Sequence, residues 1–317
     1  MSKATIRLLA AALVACGAPA LADAQVTGGI ARAWVSGHGA DQAGCGVPAA
    51  PCRSLQYAHD NVVGAGGEID VLDPAGYGNI TIRKSVSIVN DGVGTAGVQT
   101  TSGDAITIAA GPSDSIYLRG LNVDGLGASG RSGIVFSTGA GLTVTNCVIR
   151  HFAEEGISLQ PTSASPRVLI QDTIVADNND AGILAGGAHW GSAGLVRFTL
   201  DRVTAADNNY GVYMSNQQNT FNALQVSLSN SLVSDNKKDG IVVTTAMFAD
   251  VSHSVVTNNA GSGLLVQNAA IVQLSGSWLH LNDSDILNQT SGDGKIFTSG
   301  DNEYLAVGVA PTLQSLH

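Results

Sequence analysis

The sequence contains few charged residues and few aromatic rings, and these shortages exclude several classes of protein. Charged residues make up 13% of the 317 residues and aromatic residues 5%, against 44% hydrophobic residues. A composition this apolar is not that of a disordered chain, and 39 glycines are too many for a helical bundle. With so few rings, any core must be built mainly from Val, Ile, Leu and Ala.

Positive charge and long apolar runs are also scarce. The formal net charge is −10, which argues against a nucleic-acid partner, because binding to phosphates needs clustered Lys and Arg. Outside the N-terminus, no uninterrupted apolar run reaches the roughly 18 residues of a membrane-spanning helix. We therefore expect neither a nucleic-acid partner nor a transmembrane segment.

Residues 1–24 have the features of an export signal. Lys3 and Arg7 provide a basic start, Leu8 to Ala15 is apolar, and small residues up to Ala24 offer a cleavage site. The stretch LVAC, which ends at Cys16, resembles a lipobox and would make Cys16 a lipid-bearing N-terminus. Both interpretations predict a secreted or periplasmic protein, and the choice between a free form and a form anchored to the outer membrane stays open.

The remaining cysteines predict one disulfide and one free thiol. Cys45 and Cys52 flank the Pro-rich loop of CGVPAAPC. In an oxidising compartment this spacing predicts a local disulfide rather than a metal site, because no second cysteine pair or histidine cluster accompanies it. Cys147 lies alone in an apolar stretch, and we interpret it as a buried thiol that packs as a small hydrophobe rather than as a nucleophile.

A short pattern recurs along the chain. VADNNDAGI (residues 175–183) returns as TAADNNYGV, VSDNKKDGI and VTNNAGSGL. Aligning its neighbours gives anchor positions at spacings of 26, 26, 30, 28, 23 and 23, namely Leu118, Val144, Ile170, Leu200, Leu228, Val251 and Leu274. A loose period near 25 is typical of a solenoid.

Each repeat holds three apolar runs too short for helices and rich in β-branched residues, which predicts an all-β fold. Since no helix-length segment separates the runs, successive coils must pair strand on strand, in parallel. Asparagines stand eight residues past five consecutive anchors: Asn178, Asn208, Asn236, Asn259 and Asn282. Asn tolerates the left-handed backbone of a sharp corner, and stacked amides can bond from coil to coil. The pattern predicts an asparagine ladder.

The chain also resembles a known family. The matching pieces are PCRSLQYAHDNVVGAGGEIDVLDPAGYGNITIRKSVSI (residues 51–88), LRGLNVDG (118–125), CVIRHFAEEGI (147–157) and GDNEYLAVG (300–308). Together with the coil length and the ladder, they resemble the right-handed parallel β-helix of the pectin-lyase-like superfamily, and more narrowly the bacterial exported proteins with right-handed parallel β-helix repeats. This superfamily includes lyases, hydrolases, epimerases and binding proteins, so the resemblance implies the fold and leaves activity open.

The ends of such a solenoid need covers. Leu55, Ala58 and Val62 fall at helical spacing and predict an amphipathic helix of about three turns that caps the first coil, fixed by the disulfide. We therefore expect a signal peptide at 1–24, an N-terminal cap at 25–66, a parallel β-helix at 67–299, and a closing strand and tail at 300–317.

Signatures of polysaccharide cleavage are missing, including the paired carboxylates and the Gly-His-Gly of polygalacturonases within the coils. Asp177, Asp207 and Asp235 stand seven residues past successive anchors. Such a row is either a solvated corner or a weak Ca²⁺ site, and no other cofactor is predicted. Asp172 and Arg202 stand two past their anchors and predict an ion pair between coils.

Coil length varies in one place, between the third run and the next anchor run, so variable loops emerge along one edge. Trp190, Tyr213, Phe221 and Phe248 fall in or beside these loops. Aromatic rings beside Asn and Gln suit the faces and hydroxyls of sugars, although they could equally fold back as small hydrophobic clusters.

The sequence thus predicts an exported β-helix protein that binds, and in one version modifies, a polysaccharide or envelope glycan. The alternative is a non-catalytic surface or structural scaffold whose partner is a protein. If the protein is an enzyme, it is a polysaccharide lyase, a glycoside hydrolase or an epimerase. The sequence leaves open which glycan is bound and which oligomeric state is formed.

Overall fold

The computed structural model describes residues 28–127, 130–163, 165–186, 195–216, 224–245, 247–291, 294–308 and 312–313, which contain one helix, α1 (Leu55–Asn61), and 31 strands. In chain order the strands are β1 Ile30–Val35, β2 Val63–Val71, β3 Ala75–Gly76, β4 Ile80–Ile82, β5 Val86–Val89, β6 Ala96–Gln99, β7 Ile106–Ala109, β8 Ser115–Arg119, β9 Leu121–Asp124, β10 Ile134–Thr138, β11 Gly141–Thr145, β12 Val148–Arg150, β13 Ile157–Leu159, β14 Arg167–Gln171, β15 Ile174–Ala176, β16 Ala181–Gly186, β17 Val196–Asp201, β18 Thr204–Ala206, β19 Tyr210–Ser215, β20 Leu224–Ser229, β21 Leu232–Ser234, β22 Ile241–Thr244, β23 Phe248–Ser252, β24 Val255–Thr257, β25 Ser262–Asn268, β26 Ile271–Ser275, β27 Trp278–His280, β28 Ser284–Thr290, β29 Lys295–Thr298, β30 Ala306–Gly308 and β31 Thr312–Leu313.

These strands form three parallel sheets, and each coil adds one strand to each sheet. The first sheet has 12 strands in the order β1, β2, β5, β8, β11, β14, β17, β20, β23, β26, β29, β31. The second has nine strands, every third one from β3 to β27, and the third has ten, every third one from β4 to β28 and then β30. The predicted parallel β-helix is confirmed.

The core lies inside the coils, because alternate residues of each strand point inward. The anchor residues Val144, Ile170 and Leu200 are in register on neighbouring strands and have no exposed surface. The residues beside them point outward and are polar or partly exposed, as in the alternating exposure of β14. Branched aliphatic side chains therefore fill the core, and the outward positions are free to vary.

The helix α1 lies near the first strands of the solenoid. The hydroxyl of Ser54 accepts the backbone N–H of Tyr57 and caps the helix N-terminus. Leu55 and Ala58 are fully buried in the core. The helix is shorter than the three turns expected, because the chain enters β2 at Val63.

The predicted disulfide between Cys45 and Cys52 is confirmed. Its loop pairs with the outer edge of β1: the backbone N–H of Cys52 donates to the carbonyl of Trp34 at 3.0 Å, and that of Ser36 donates to the carbonyl of Cys52 at 2.9 Å. These bonds cover a sheet edge that would otherwise expose unpaired backbone groups. The 12-stranded sheet thus begins at Ile30, inside the segment assigned from sequence to the cap.

In the coils from β11 to β28, two corners are made by single residues with left-handed backbone. At the first corner φ is 49–52°, in Asn146, Asp172, Arg202, Asn230 and His253. At the second corner φ is 56–63°, in His151, Asp177, Asp207, Asp235, Asn258 and Leu281. The left-handed residue of the second corner therefore precedes each ladder asparagine, which corrects the expectation that the asparagine itself adopts this conformation.

The five asparagines stack through their side chains. The backbone N–H of each of the first four donates to the Oδ1 of the next at 3.0–3.2 Å. The amide nitrogens continue the stack, with Asn178 Nδ2 at 2.9 Å from Asn208 Oδ1 and Asn236 Nδ2 at 2.8 Å from Asn259 Oδ1. Four of the five side chains are buried, and Asn282 at the end is partly exposed.

A second ladder, of hydroxyls, was missed from the sequence. Ser231, Ser254 and Ser277 stand three residues past their anchors, and each Oγ accepts the backbone N–H of the same column in the preceding coil at 3.1–3.2 Å. Each hydroxyl also donates to the carbonyl two residues earlier, at 2.7–2.9 Å. Cys147 occupies this column, and its thiol donates likewise to the carbonyl of Thr145 at 3.3 Å.

Candidate functional site

The two predicted sugar-binding aromatics that the structure describes do not lie on one surface. Trp190 and Phe221 lie outside the described residues. Tyr213 points outward from β19 in the ten-stranded sheet, whereas Phe248 points outward from β23 in the 12-stranded sheet. These two rings therefore belong to different faces of the solenoid.

Tyr213 lies in an apolar row rather than in a polar groove. Its register neighbours on the adjacent strands are Leu184 and Val242, of which Val242 is only 1% exposed. The ring of Tyr210 packs edge-on against Tyr213 at 5.4 Å, and Lys238 lies over the Tyr210 ring at 4.8 Å. Burial raises the pKa of the Tyr213 hydroxyl. Tyr213 is thus half-buried, and its surroundings resemble the small hydrophobic cluster of the alternative interpretation.

The three aspartates proposed as weak Ca²⁺ ligands occupy exposed, left-handed corners. Asp177, Asp207 and Asp235 follow one another on successive coils, with φ of 56–58°. Burial raises the pKa of Asp207, and the neighbouring Asp177 and Asp235 raise it further. Among the residues that the structure describes, no group of three or more His, Cys, Asp or Glu side chains could hold a metal ion. The left-handed backbone is a sufficient reason for Asp at these positions.

The predicted ion pair between Asp172 and Arg202 is present and is bidentate. Arg202 Nε is 2.7 Å from Asp172 Oδ1, and Nη2 is 3.1 Å from Oδ2. Asp201 adds a third contact to the same guanidinium. The hydrogen bonds from Arg202 lower the pKa of Asp172. Because every charge in this exposed cluster has a partner, it acts as a link between coils rather than as an acid–base pair.

A different row of outward side chains crosses five neighbouring strands of the 12-stranded sheet. It stands three residues before the five anchors from Val144 to Val251, in register: Gly141, Arg167, Arg197, Gln225 and Phe248. We call it the arginine row. Strands lie about 4.8 Å apart, so the row extends over about 19 Å. Phe248 is 38% exposed at its end.

The two arginines of this row line a trough of about 580 Å³. Gly141 forms a low point of the trough, because a side chain is missing there, and Thr143, Leu169 and Thr199 line it as well. Arg167 and Arg197 are exposed and adjacent, and neither guanidinium has a carboxylate within ion-pair distance in the described parts of the chain. Two like charges side by side without a counter-ion repel each other, so the trough is a local positive patch on an acidic protein.

A second trough, of about 530 Å³, lies on the ten-stranded sheet and is lined by hydroxyls and carboxylates. Ser132 Oγ donates to Glu155 Oε2 at 3.1 Å. Burial raises the pKa of Glu155, and the nearby carboxylates Asp180 and Glu154 raise it further. A carboxyl that keeps its proton can serve as a general acid, but hydrolysis of a glycosidic bond also requires a second carboxylate opposite to it.

The arrangement of coils, corners and ladders matches one protein family. The family model described as "Right handed beta helix region" matches residues 132–303, more than half of the chain. The chain belongs to the right-handed β-helix family. No curated protein sequence matches this β-helix protein.

Solved structures similar to this β-helix include three of different origin. Pectate lyase Pel9A superposes with a TM-score of 0.63 and 14% identity, over 92% of this chain and 81% of its own. ORF18 of Geobacillus virus E2 gives 0.58 and 14%, over 80% and 54%. The A-module of the mannuronan C-5 epimerase AlgE6 from Azotobacter vinelandii gives 0.54 and 15%, over 74% and 79%. At these identities the similarity concerns the fold alone.

Proposed function

We propose that the protein is an exported β-helix that binds an anionic polysaccharide along the arginine row of the 12-stranded sheet. The observation that carries this proposal is the in-register pair Arg167 and Arg197, exposed, adjacent and without a carboxylate partner among the described residues. A chain of sugar carboxylates would supply the missing counter-charge, because a guanidinium binds a carboxylate through two parallel hydrogen bonds.

The rest of the row suits a polymer of sugars. Gln225 follows Arg197 in register and can bond hydroxyls, and Phe248 follows Gln225 and offers an apolar face. Phe248 thus keeps the sugar-binding role predicted from sequence. The positive patch contrasts with the formal net charge of −10, so an anionic ligand is attracted to the trough and repelled by much of the remaining surface.

Three further expectations belong to this proposal. The Cys45–Cys52 disulfide is typical of an oxidising compartment outside the cytoplasm, which supports a secreted or periplasmic protein. The lipid anchor at Cys16 and the signal peptide lie outside the described residues and stay predictions. The burial of Leu55 and Ala58 supports a role for α1 as a cover for the first coil.

The test is titration calorimetry with polygalacturonate and alginate as anionic probes and dextran as the neutral one. We expect the double change Arg167→Ala, Arg197→Ala to weaken anionic binding by at least about tenfold, the scale of one lost charge-assisted hydrogen bond. Arg119→Ala is the matched control, because Arg119 lies on the same sheet face and already pairs with Asp91. Binding should also weaken with added salt.

A second variant tests the trough itself. A Cβ atom added at Gly141 would meet Ser115 Oγ at 3.4 Å and the Arg167 carbonyl oxygen at 3.5 Å, which are ordinary contacts. Gly141→Leu should therefore leave the fold intact and fill the trough. Unchanged anionic binding in the arginine double variant, or equal binding of dextran, would contradict the proposal.

Release of new reducing ends or unsaturated products, with and without chelator, would distinguish an enzyme from a binder.

A further inference from the structure

The coil that contains β27 breaks the chemical pattern of its second corner. At that corner the preceding coils place His151, Asp177, Asp207, Asp235 and Asn258, all polar. Leu281 occupies the same position with φ 59° and is 77% exposed. A bulky apolar residue in left-handed backbone is strained, and its exposure to water returns no hydrophobic stabilisation. Residues with strained backbone of this kind cluster at ligand-binding and active sites.

Leu281 lies beside a second unusual residue, Trp278. This indole stands four residues past the anchor Leu274, where earlier coils carry smaller side chains, and it is 52% exposed. Trp278, Leu281 and Val255 form the apolar wall of a cavity of about 390 Å³, which we call the Trp278 cavity. An exposed indole next to an exposed leucine is an apolar surface that a ligand can cover.

The remaining lining residues are polar and stand together. Thr257, His280 and Glu303 complete the Trp278 cavity. The imidazole of His280 packs edge-on against the Trp278 indole at 5.0 Å. His280 Nε2 is 3.5 Å from Glu303 Oε1, close enough for an ion pair when the imidazole is protonated.

The nitrogen of His280 lacks a hydrogen bond. Nε2 has almost no contact with solvent and no hydrogen-bond partner within the described ranges. Buried polar atoms are nearly always bonded, so an exception needs a reason. The nearest group, Glu303 Oε1 at 3.5 Å, belongs to a largely exposed side chain. A ligand hydroxyl that displaces this carboxylate can supply the partner, because a neutral imidazole can either donate or accept at Nε2.

We propose that the Trp278 cavity binds one uncharged pyranose ring, as a site separate from the arginine row. A pyranose ring has an apolar face that can stack on the indole and a rim of hydroxyls that can reach His280 Nε2 and the Glu303 carboxylate. A purely apolar ligand would leave these polar groups without partners. An acidic sugar would be repelled by Glu303, so this cavity and the arginine row select opposite ligands.

The test follows tryptophan fluorescence during titration with neutral cello-, xylo-, manno- and galacto-oligosaccharides. At least one series should give a saturable fluorescence change in the parent. Because both variants lose the reporting indole, their binding is measured by titration calorimetry: Trp278→Ala should abolish it, and Trp278→Phe should keep it with affinity reduced by about tenfold or less. Trp34→Phe is the matched control, because it removes another indole at the opposite end of the solenoid. Oligogalacturonate should give no change that depends on Trp278.

Leu281→Asn places a polar residue at this corner, as in the other coils, and distinguishes an effect on stability from an effect on sugar binding. We expect a higher denaturation midpoint, because Asn tolerates the left-handed backbone, together with sugar affinity weakened by about fivefold. No saturable change with any neutral series, or saturation by phenol or tetramethylammonium alone, would overturn the proposal. The double change Arg167→Ala, Arg197→Ala should leave sugar binding intact, so the two sites can fail independently.

Discussion

Replacing one asparagine in the middle of the ladder should cost more stability than replacing the one at its end. Asn236 is 1% exposed. Its Oδ1 accepts from the backbone N–H of Asn208 at 3.0 Å, and its Nδ2 donates to Asn259 Oδ1 at 2.8 Å and to the Ala205 carbonyl at 3.2 Å. In Asn236→Ala the Asn208 N–H loses its partner in a place that water cannot reach, so we expect a loss of about 2–4 kcal/mol.

Asn282 makes as many contacts but in a wetter place. Its Oδ1 accepts from Asn259, and its Nδ2 donates to the Val256 carbonyl at 3.0 Å and to Asp285 Oδ1 at 3.2 Å. Since Asn282 is partly exposed, water can replace much of what Asn282→Ala removes, and we expect a loss of about 1–2 kcal/mol. The contrast between the two variants thus depends on burial rather than on the number of bonds.

The assay is equilibrium unfolding in guanidinium chloride, followed by circular dichroism. Asn179→Ala, at an exposed position beside the ladder, is the control and should stay within about 0.5 kcal/mol of the parent. Hydrogen exchange at the Asn208 amide gives a local readout and should accelerate in Asn236→Ala only. Equal losses in the two ladder variants, or a larger loss in Asn282→Ala, would refute the reasoning.

Three further predictions concern buried groups. Cys147→Ser should change the unfolding free energy by less than about 1 kcal/mol, because a hydroxyl there can join the serine ladder through the Thr145 carbonyl, whereas Cys147→Val should cost about 1–2 kcal/mol by denaturant midpoint. Burial lowers the pKa of His59, whose Nε2 accepts a hydrogen bond from the backbone N–H of Arg83. As pH drops below about 6.5, His59 therefore binds a proton in the unfolded chain before it does so in the folded one, and the stability should fall. His59→Gln should flatten this part of a profile of melting temperature against pH. Burial raises the pKa of Glu155, so the folded state loses stability as pH rises above the ordinary glutamate range, and Glu155→Gln should raise the melting temperature at pH 7 but not at pH 4.

The fold could be predicted because successive coils place the same kinds of residue in the core and at the corners of the solenoid. An inward anchor such as Ile170 and a ladder residue such as Asn178 meet the same surroundings each time, so the same chemistry recurs at a fixed offset. The corner conformation was assigned to the wrong residue of the pair, because Asp177 and Asn178 tolerate left-handed backbone almost equally. Only the pattern of hydrogen bonds distinguishes them.

The candidate site was harder to predict, because outward positions have no common surroundings. Arg167 and Arg197 stand three residues before their anchors, in a column whose other members are Ser, Gly, Gln, Phe and Ile. The scarcity of aromatic rings makes Phe248 conspicuous in this column but not the arginines beside it. Both arginines stand at the same offset from their anchors, and parallel strands about 4.8 Å apart bring residues at one offset side by side, so the repeat itself carries the signal.

This contrast suggests how function is added to a parallel solenoid. Inward and corner columns keep one chemistry, since any change there leaves a cavity or an unpaired amide. Where one residue of a column differs in chemistry from the others, the scaffold tolerates the change, and folding alone does not explain it. The guanidiniums of Arg167 and Arg197, which have no carboxylate partner among the described residues, and the exposed left-handed Leu281 are departures of this kind. The arginines lie on the 12-stranded sheet and Leu281 lies at the corner that follows β27, so a rigid β-helix can carry two sites of opposite preference without either one disturbing the core between them.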